Sequence, residues 1–138
     1  MAAQTRYAMG FLLSPDGRNV VLVRKNRPAI LVGKLTGVGG HQEPGETSLE
    51  CLVREVEEET GVVTTQDDWT HFATVETPEM YFPCYYLRSA KFAHACSVTE
   101  ERIEIVEVHH LDPTQLAPLA LDLIRLAVAP VGDVVTLP

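Results

Sequence analysis

The stretch from Gly40 to Val62 constrains this chain more than any other. It reads Gly-His-Gln-Glu-Pro-Gly-Glu-Thr-Ser-Leu-Glu-Cys-Leu-Val-Arg-Glu-Val-Glu-Glu-Glu-Thr-Gly-Val. A glycine loop leads into a short helix. Thr47 is a good N-cap, Glu50 three residues on completes a capping box, and Gly61 is the natural C-terminal stop. Leu49, Leu52, Val53 and Val56 fall at i, i+3, i+4 and i+7 and share one buried face. Glu55, Glu58 and Glu59 cluster on a neighbouring face, roughly a third of a turn away. That placement opposes helix stability. Glu58 and Glu59 face the negative end of the helix dipole, at about 0.3–1 kcal/mol each. The like-charge pair Glu55 and Glu59, four residues apart, costs about 0.2–0.5 kcal/mol more. Acids tolerated at this cost point to something positive held among them, and a divalent cation is the obvious candidate.

The remainder sets the frame. At 138 residues the chain is long enough for a real core, and one domain over residues 1–138 is expected. A hydrophobic content of 46% with 22% charged residues is ordinary for a soluble globular protein. The net charge of −8 argues against a nucleic-acid or membrane-surface binder. A polyphosphate substrate would then need local positive charge, which bound metal supplies. Cys51, Cys84 and Cys96 form no CxxC pair and no zinc spacing, which suggests reduced thiols and a cytoplasmic setting. The N-terminus has no apolar signal core, and no apolar run approaches membrane-spanning length. The oligomeric state, monomer or homodimer, is left open.

Tyr7 to Leu13 and Asn19 to Arg24 read as a strand hairpin around a Ser14-Pro15-Asp16-Gly17 turn. Asn26 to Gly33 reads as a loop, and Lys34 to Gly40 as a short extended piece dissolving into glycines. Trp69 to Glu76 and Met80 to Arg88 read as two more strands, the second placed at an edge or bulge by Pro83. Lys91 to Thr99 is loop-like, and Arg102 to Leu111 is a further strand. From Pro113 the pattern is helical, with Leu116, Leu119, Ala120, Leu123 and Ala127 on one face. The sum is an α/β protein, a mixed sheet with a helix on each side.

Gly37, Gly39 and Gly40 let backbone approach a ligand closely. A backbone carbonyl there plus helix carboxylates would make an all-oxygen site suited to Mg2+ or Mn2+. Such ions would neutralise a pyrophosphate and acidify a bound water, and a glutamate could act as its general base. Arg54 could orient a carboxylate through its fork of donors. Read alone, the acidic face fits a solvated surface as well, and the glycines fit turns better than ligands. Both in a fixed order are much harder to explain by chance. Weaker candidates for substrate contact are His41 in the glycine loop, Tyr81 among the strand aromatics (with Trp69, Phe82, Tyr85 and Tyr86), and the basic cluster Arg24, Lys25 and Arg27. His109-His110 reads as surface.

The segment resembles the Nudix box, Gly-x5-Glu-x7-Arg-Glu-U-x-Glu-Glu-x-Gly-U, with U a bulky aliphatic. Gly40, Glu46, Arg54, Glu55, Val56, Glu58, Glu59, Gly61 and Val62 fill every fixed position, over about a sixth of the chain. The resemblance implies an α/β/α sandwich and metal-dependent hydrolysis of a nucleoside diphosphate linked to another moiety. It implies that Glu55, Glu58 and Glu59 are metal ligands, with Glu55 the base and the Gly39 carbonyl a further ligand. It also implies that Arg54 and Glu46 brace the loop against the helix, with Gly40 and Gly61 structural. Cys51 stands where the family usually has a small residue, and reads as packed rather than nucleophilic. Many members add an acid from outside the box. Glu100, Glu101, Glu104 and Glu107 compete for that place, and Glu104 is the choice.

Substrate selection lies outside the box. Pro78 misses by one residue the proline spacing of ADP-ribose hydrolases, and Tyr81 misses by one the tyrosine spacing of dinucleotide polyphosphate hydrolases. The compact length and the run Gly33 to Gly40 look more like the small nucleoside triphosphate pyrophosphohydrolases, including those acting on oxidised purine nucleotides. Thr36 departs from the asparagine often found there. ADP-ribose, nucleotide sugars and dinucleotides come second. A non-catalytic nucleotide-binding regulatory module is the alternative of another class, against which stands the complete set of box acids.

Overall fold

The computed structural model describes residues 4–138. Its architecture follows from strands buried on both faces. In Thr5–Leu13 (β1), Ala8 and Leu12 point to one side, while Phe11 and Leu13 point to the other. Asn19–Arg24 (β2) does the same with Val21 and Val23 against Val20 and Leu22. Strands apolar on both faces must be covered on both, and a helix does so on each side. The hairpin between them turns as the sequence indicates: the Gly17 N–H donates to the Ser14 carbonyl at 2.9 Å, with Gly17 at φ 75°.

The chain continues through Leu35–Thr36 (β3), Val38–His41 (β4), Ser48–Thr60 (α1), Thr70–Glu76 (β5), Met80–Arg88 (β6), Arg102–Glu107 (β7), Ala120–Val128 (α2) and Val135–Leu137 (β8). The eight strands form one mixed sheet with the path β3-β2-β1-β6-β5-β8, to which β4 adds on β1 and β7 on β2. β1–β6 and β5–β8 are parallel and the other pairs antiparallel. Helix α2 seals the Phe11 face with Ala120, Leu123, Ile124 and Ala127. Helix α1 seals the Leu12 face with Leu52 and Val56, over Trp69 and Tyr85. This is the α/β/α arrangement expected. Trp69 and Tyr85 are thus core residues rather than substrate contacts.

The structure decides one alternative and changes two expectations. Pro83 lies in β6, which is flanked by β1 and β5, so of the edge or bulge expected there the edge is excluded and a bulge-like irregularity is found. Its missing N–H is accommodated by irregular pairing: the β5 partner shifts register between His71 and Ala73, and the β1 ladder carries pairs at Tyr81 and Cys84 but none at Pro83. The last helix begins at Ala120, not near Pro113. Pro113–Gln115 makes one isolated turn, Pro118 biases Ala117 away from helix, and Leu119 sits at φ 68°. Strand β8 was not expected at all.

Candidate active site

Helix α1 is fixed at both ends by the signals in its sequence. The Glu50 N–H donates to Thr47 Oγ1 at 3.1 Å, and the Thr47 N–H donates to Glu50 Oε1 at 2.9 Å. Gly61 is left-handed at φ 78°, with its N–H on the Glu57 carbonyl. With Cys51, Leu52 and Val56 buried beneath, the helix is held at one rotation, and its acidic flank lies beside β4.

Arg54 organises that flank. Its Nε and Nη2 donate to the two oxygens of Glu46 at 2.7 and 3.0 Å, a bidentate pair between helix and loop. Nη1 reaches Glu55 Oε1 at 3.0 Å and Glu58 Oε2 at 3.2 Å, and Nη2 also donates to the His41 carbonyl at 3.2 Å. The guanidinium hydrogen bonds hold the Glu46 carboxyl down at about 2. The same bonds raise Arg54 further above its ordinary value. Burial pushes the Cys51 thiol up to about 12, and its Sγ rests 3.6 Å from the Gly40 carbonyl.

The two glycines of β4 are close approaches. A Cβ on Gly40 would stand 2.6 Å from Cδ and Oε1 of Glu55. A Cβ on Gly39 would stand 1.9 Å from the Ala8 carbonyl oxygen. The Gly39 N–H donates to Glu59 Oε2 at 3.4 Å. Burial first, then the charge of Glu55, pushes the Glu59 carboxyl up to about 8, while Lys25 and the Gly39 N–H pull it down. Unlike Glu55 and Glu58, Glu59 receives no hydrogen bond from Arg54.

These acids line a cleft of about 340 Å³ shared with Asn26, Arg27, Thr99, Glu100 and Glu101. Glu101 accepts from Lys25 Nζ at 3.1 Å and from the Asn26 N–H at 3.0 Å. A second hollow of about 340 Å³, bounded by Gln4, Arg6 and Gln42 to Glu46, lies against the loop and contains none of the three helix acids. Among the described residues no three His, Cys, Asp or Glu side chains are gathered around one point as a ready metal site. Glu55 and Glu58 turn to Arg54, and Glu59 to Gly39. The donor chemistry nonetheless fits a hard divalent cation: every group is an oxygen, and the half-buried Glu59 carboxyl takes part in no ion pair among the described residues.

The family profile of the NUDIX domain matches residues 4–127. The chain belongs to the Nudix family. Solved structures of similar fold include a MutT, described jointly for the fish pathogen Aliivibrio salmonicida and for Vibrio cholerae, at 19% identity and a TM-score of 0.71, over 91% of this chain and 96% of that one. A MutT/nudix family protein from Enterococcus faecalis matches at 14% identity and a TM-score of 0.75, over 92% of this chain and 61% of that one. An ADP-ribose pyrophosphatase from Streptococcus suis matches at 16% identity and a TM-score of 0.67, over 97% and 99%. This Nudix chain is a pyrophosphohydrolase.

The structure brings Gly39 and the box residues Gly40, Glu46, Arg54, Glu55, Glu58 and Glu59 to one corner. It does not bring Glu104 there. On β7, Ile103 packs on the α1 side and Val106 on the α2 side, so Glu104 projects to the α2 side, opposite the helix acids. There it pairs with Arg24, through Nε and through Nη2 at 3.0 Å. Arg24 is thereby committed away from the cleft, with a further bond to the Gly33 carbonyl at 2.8 Å. Tyr81 lies under the Arg6 guanidinium, 4.7 Å from the ring centre, and His41 packs against Tyr7 with ring centres 4.4 Å apart and planes tilted by 44°. Neither lines the cleft. His109 and His110 are exposed, as expected. Arg27, from the basic cluster, and Glu100 and Glu101, from the competing acids, do line the cleft, and so do Asn26 and Thr99, which the sequence did not single out. Their signal was position: two loops, before β3 and before β7, that flank strands carrying the acids' neighbours.

Proposed function

We propose that this Nudix enzyme hydrolyses the pyrophosphate linkage of a (deoxy)nucleoside triphosphate with Mg2+ or Mn2+, in a cytosol-like compartment. The observation that carries this reading is the shared cleft: Glu55, Glu58 and Glu59 on one wall, with the Arg54–Glu46 brace behind them. Glu55, Glu58, Glu59 and the Gly39 carbonyl would hold the metal, which when bound supplies charge neutralisation for the phosphates and a more acidic water. Glu55 takes the proton of the attacking water. The water oxygen bonds to phosphorus, the bridging P–O bond breaks, and the leaving phosphate carries the bond's electron pair. Arg54 holds Glu55 in place, close against Gly40. Glu101 is the acid from outside the box that the cleft favours over Glu104.

Turnover of a nucleotide panel at equal concentration with Mg2+ tests the reading. Nucleoside triphosphates should lead, with ADP-ribose, nucleotide sugars and dinucleotides behind. Glu58→Gln should lose most turnover and keep its fold. Near-wild-type rates in that variant would overturn the metal assignment, and metal binding without turnover on any of these compounds would favour a regulatory module.

A further inference from the structure

A cleft walled by Glu55, Glu58, Glu59 and Glu101 repels a polyphosphate unless positive charge meets it there. The basic residues nearby are nearly all committed. Arg54 is bound to Glu46, Glu55 and Glu58, Lys25 to Glu101, and Arg24 to Glu104. Arg27 is the exception. It lines the cleft, it is exposed, and among the described residues it takes part in no ion pair. Its loop is closed at the base, where the Lys25 N–H donates to the Lys34 carbonyl at 2.8 Å and the Gly33 N–H to the Lys25 carbonyl at 2.8 Å. The Asn26 N–H is tied to Glu101 at 3.0 Å. A free guanidinium is thus presented from an anchored loop to the acidic cleft.

We infer that Arg27 binds the terminal phosphate of the substrate and is a specificity-determining residue. This rests on the pyrophosphohydrolase reading above. A terminal phosphoryl group offers a second charge and three unbridged oxygens to the planar fork of an arginine. A pyrophosphate capped on both sides, as in ADP-ribose or a nucleotide sugar, offers neither. Arg27 therefore favours substrates with a free phosphate end.

The test compares wild type, Arg27→Lys and Arg27→Ala in Mg2+ with a nucleoside triphosphate and with ADP-ribose. Arg27→Ala should raise KM for the triphosphate about ten- to a hundredfold, as expected for a lost charge-assisted contact. The value of kcat should be little changed, ADP-ribose should be unaffected, and Arg27→Lys should fall between. Calorimetry with inorganic tripolyphosphate should show the same weakening without any turnover. Equal tripolyphosphate affinity in wild type and Arg27→Ala would overturn the inference, as would a loss confined to kcat or one of equal size on ADP-ribose. Failure of the wild type to turn over any nucleotide would instead count against the catalytic reading, and the calorimetry would still decide the role of Arg27.

Discussion

Gly40→Ala separates what holds the fold from what holds the chemistry. The added Cβ would lie 2.6 Å from the Glu55 carboxyl carbon, where about 3.5–4.0 Å is needed. The atoms in the way end a side chain, so the clash can be relieved by moving the carboxylate about 1 Å, away from its 3.0 Å bond to Arg54. Relief of that kind should cost about 1–2 kcal/mol of stability, or about 4–8 °C in Tm at this chain length. The catalytic cost should be larger, since a displacement of about 1 Å in a reacting group can lower kcat about a hundredfold. Gly39→Ala is the control. There the Cβ would meet the Ala8 carbonyl at 1.9 Å, backbone against backbone within the β1–β4 ladder, and no rotamer can relieve it. It should lose more than 3 kcal/mol, in the range of severe overpacking. Thermal melts and steady-state kinetics on both variants, with Glu55→Gln and the Gly40→Ala/Glu55→Gln double, decide the matter. The double should be hardly slower than Glu55→Gln alone, because both act on one carboxylate. Full activity in a folded Gly40→Ala protein, or additive losses in the double, would refute the reasoning.

Divalent metal should stabilise the protein by about 2.7 kcal/mol at a hundredfold excess over its dissociation constant, and Glu59→Gln should reduce that gain; a Tm flat across a Mg2+ titration would contradict it. Glu46 has its folded value lowered to about 2 from 4.5, so its pairing with Arg54 stabilises above the unfolded value and is lost as pH falls through the folded one. The stability gap between wild type and Glu46→Gln, measured by denaturant titration, should therefore close as pH drops from about 4.5 toward about 2. Cys51 and Cys84 are buried, with thiols pushed up to about 12 by that burial, while Cys96 is exposed. A thiol reagent should modify Cys96 alone in the native protein, as mass spectrometry would show, and all three after denaturation.

How far the sequence could be read depended on how local each signal was. Helix α1 carries its start, stop and buried face within its own residues, and the β1–β2 turn carries Pro15 and Gly17 in the required places, so both were legible. The start of α2 was set by Pro118 and by Leu119 at φ 68°, and an apolar periodicity running through them hid the break. β8 is three residues long and exists because β5 lies alongside in parallel, a long-range pairing with no local mark. Glu104 was misplaced because Ile103-Glu104-Ile105-Val106 is apolar on both sides of the glutamate. Ile105 remains 43% exposed, so apolarity could not tell which face was inward.

The acids of α1 show the same limit at the site itself. The sequence indicated that a positive charge must offset their crowding, and it pointed outside the protein for that charge. The fold supplies part of it from within. Arg54 is the residue next to Glu55, yet its guanidinium reaches across to Glu46 in the loop as well as to Glu55 and Glu58. This contact set depends on the loop closing over the helix and cannot be read from spacing along the helix alone. The offset is unequal. Glu55 and Glu58 are paired with Arg54, whereas Glu59 has only the Gly39 N–H and Lys25 to draw it down, and it is the carboxyl pushed upward. An external cation is therefore needed least where Arg54 reaches and most at Glu59, which makes Glu59, not the more exposed Glu58, the place where metal binding and folding stability should be most tightly linked.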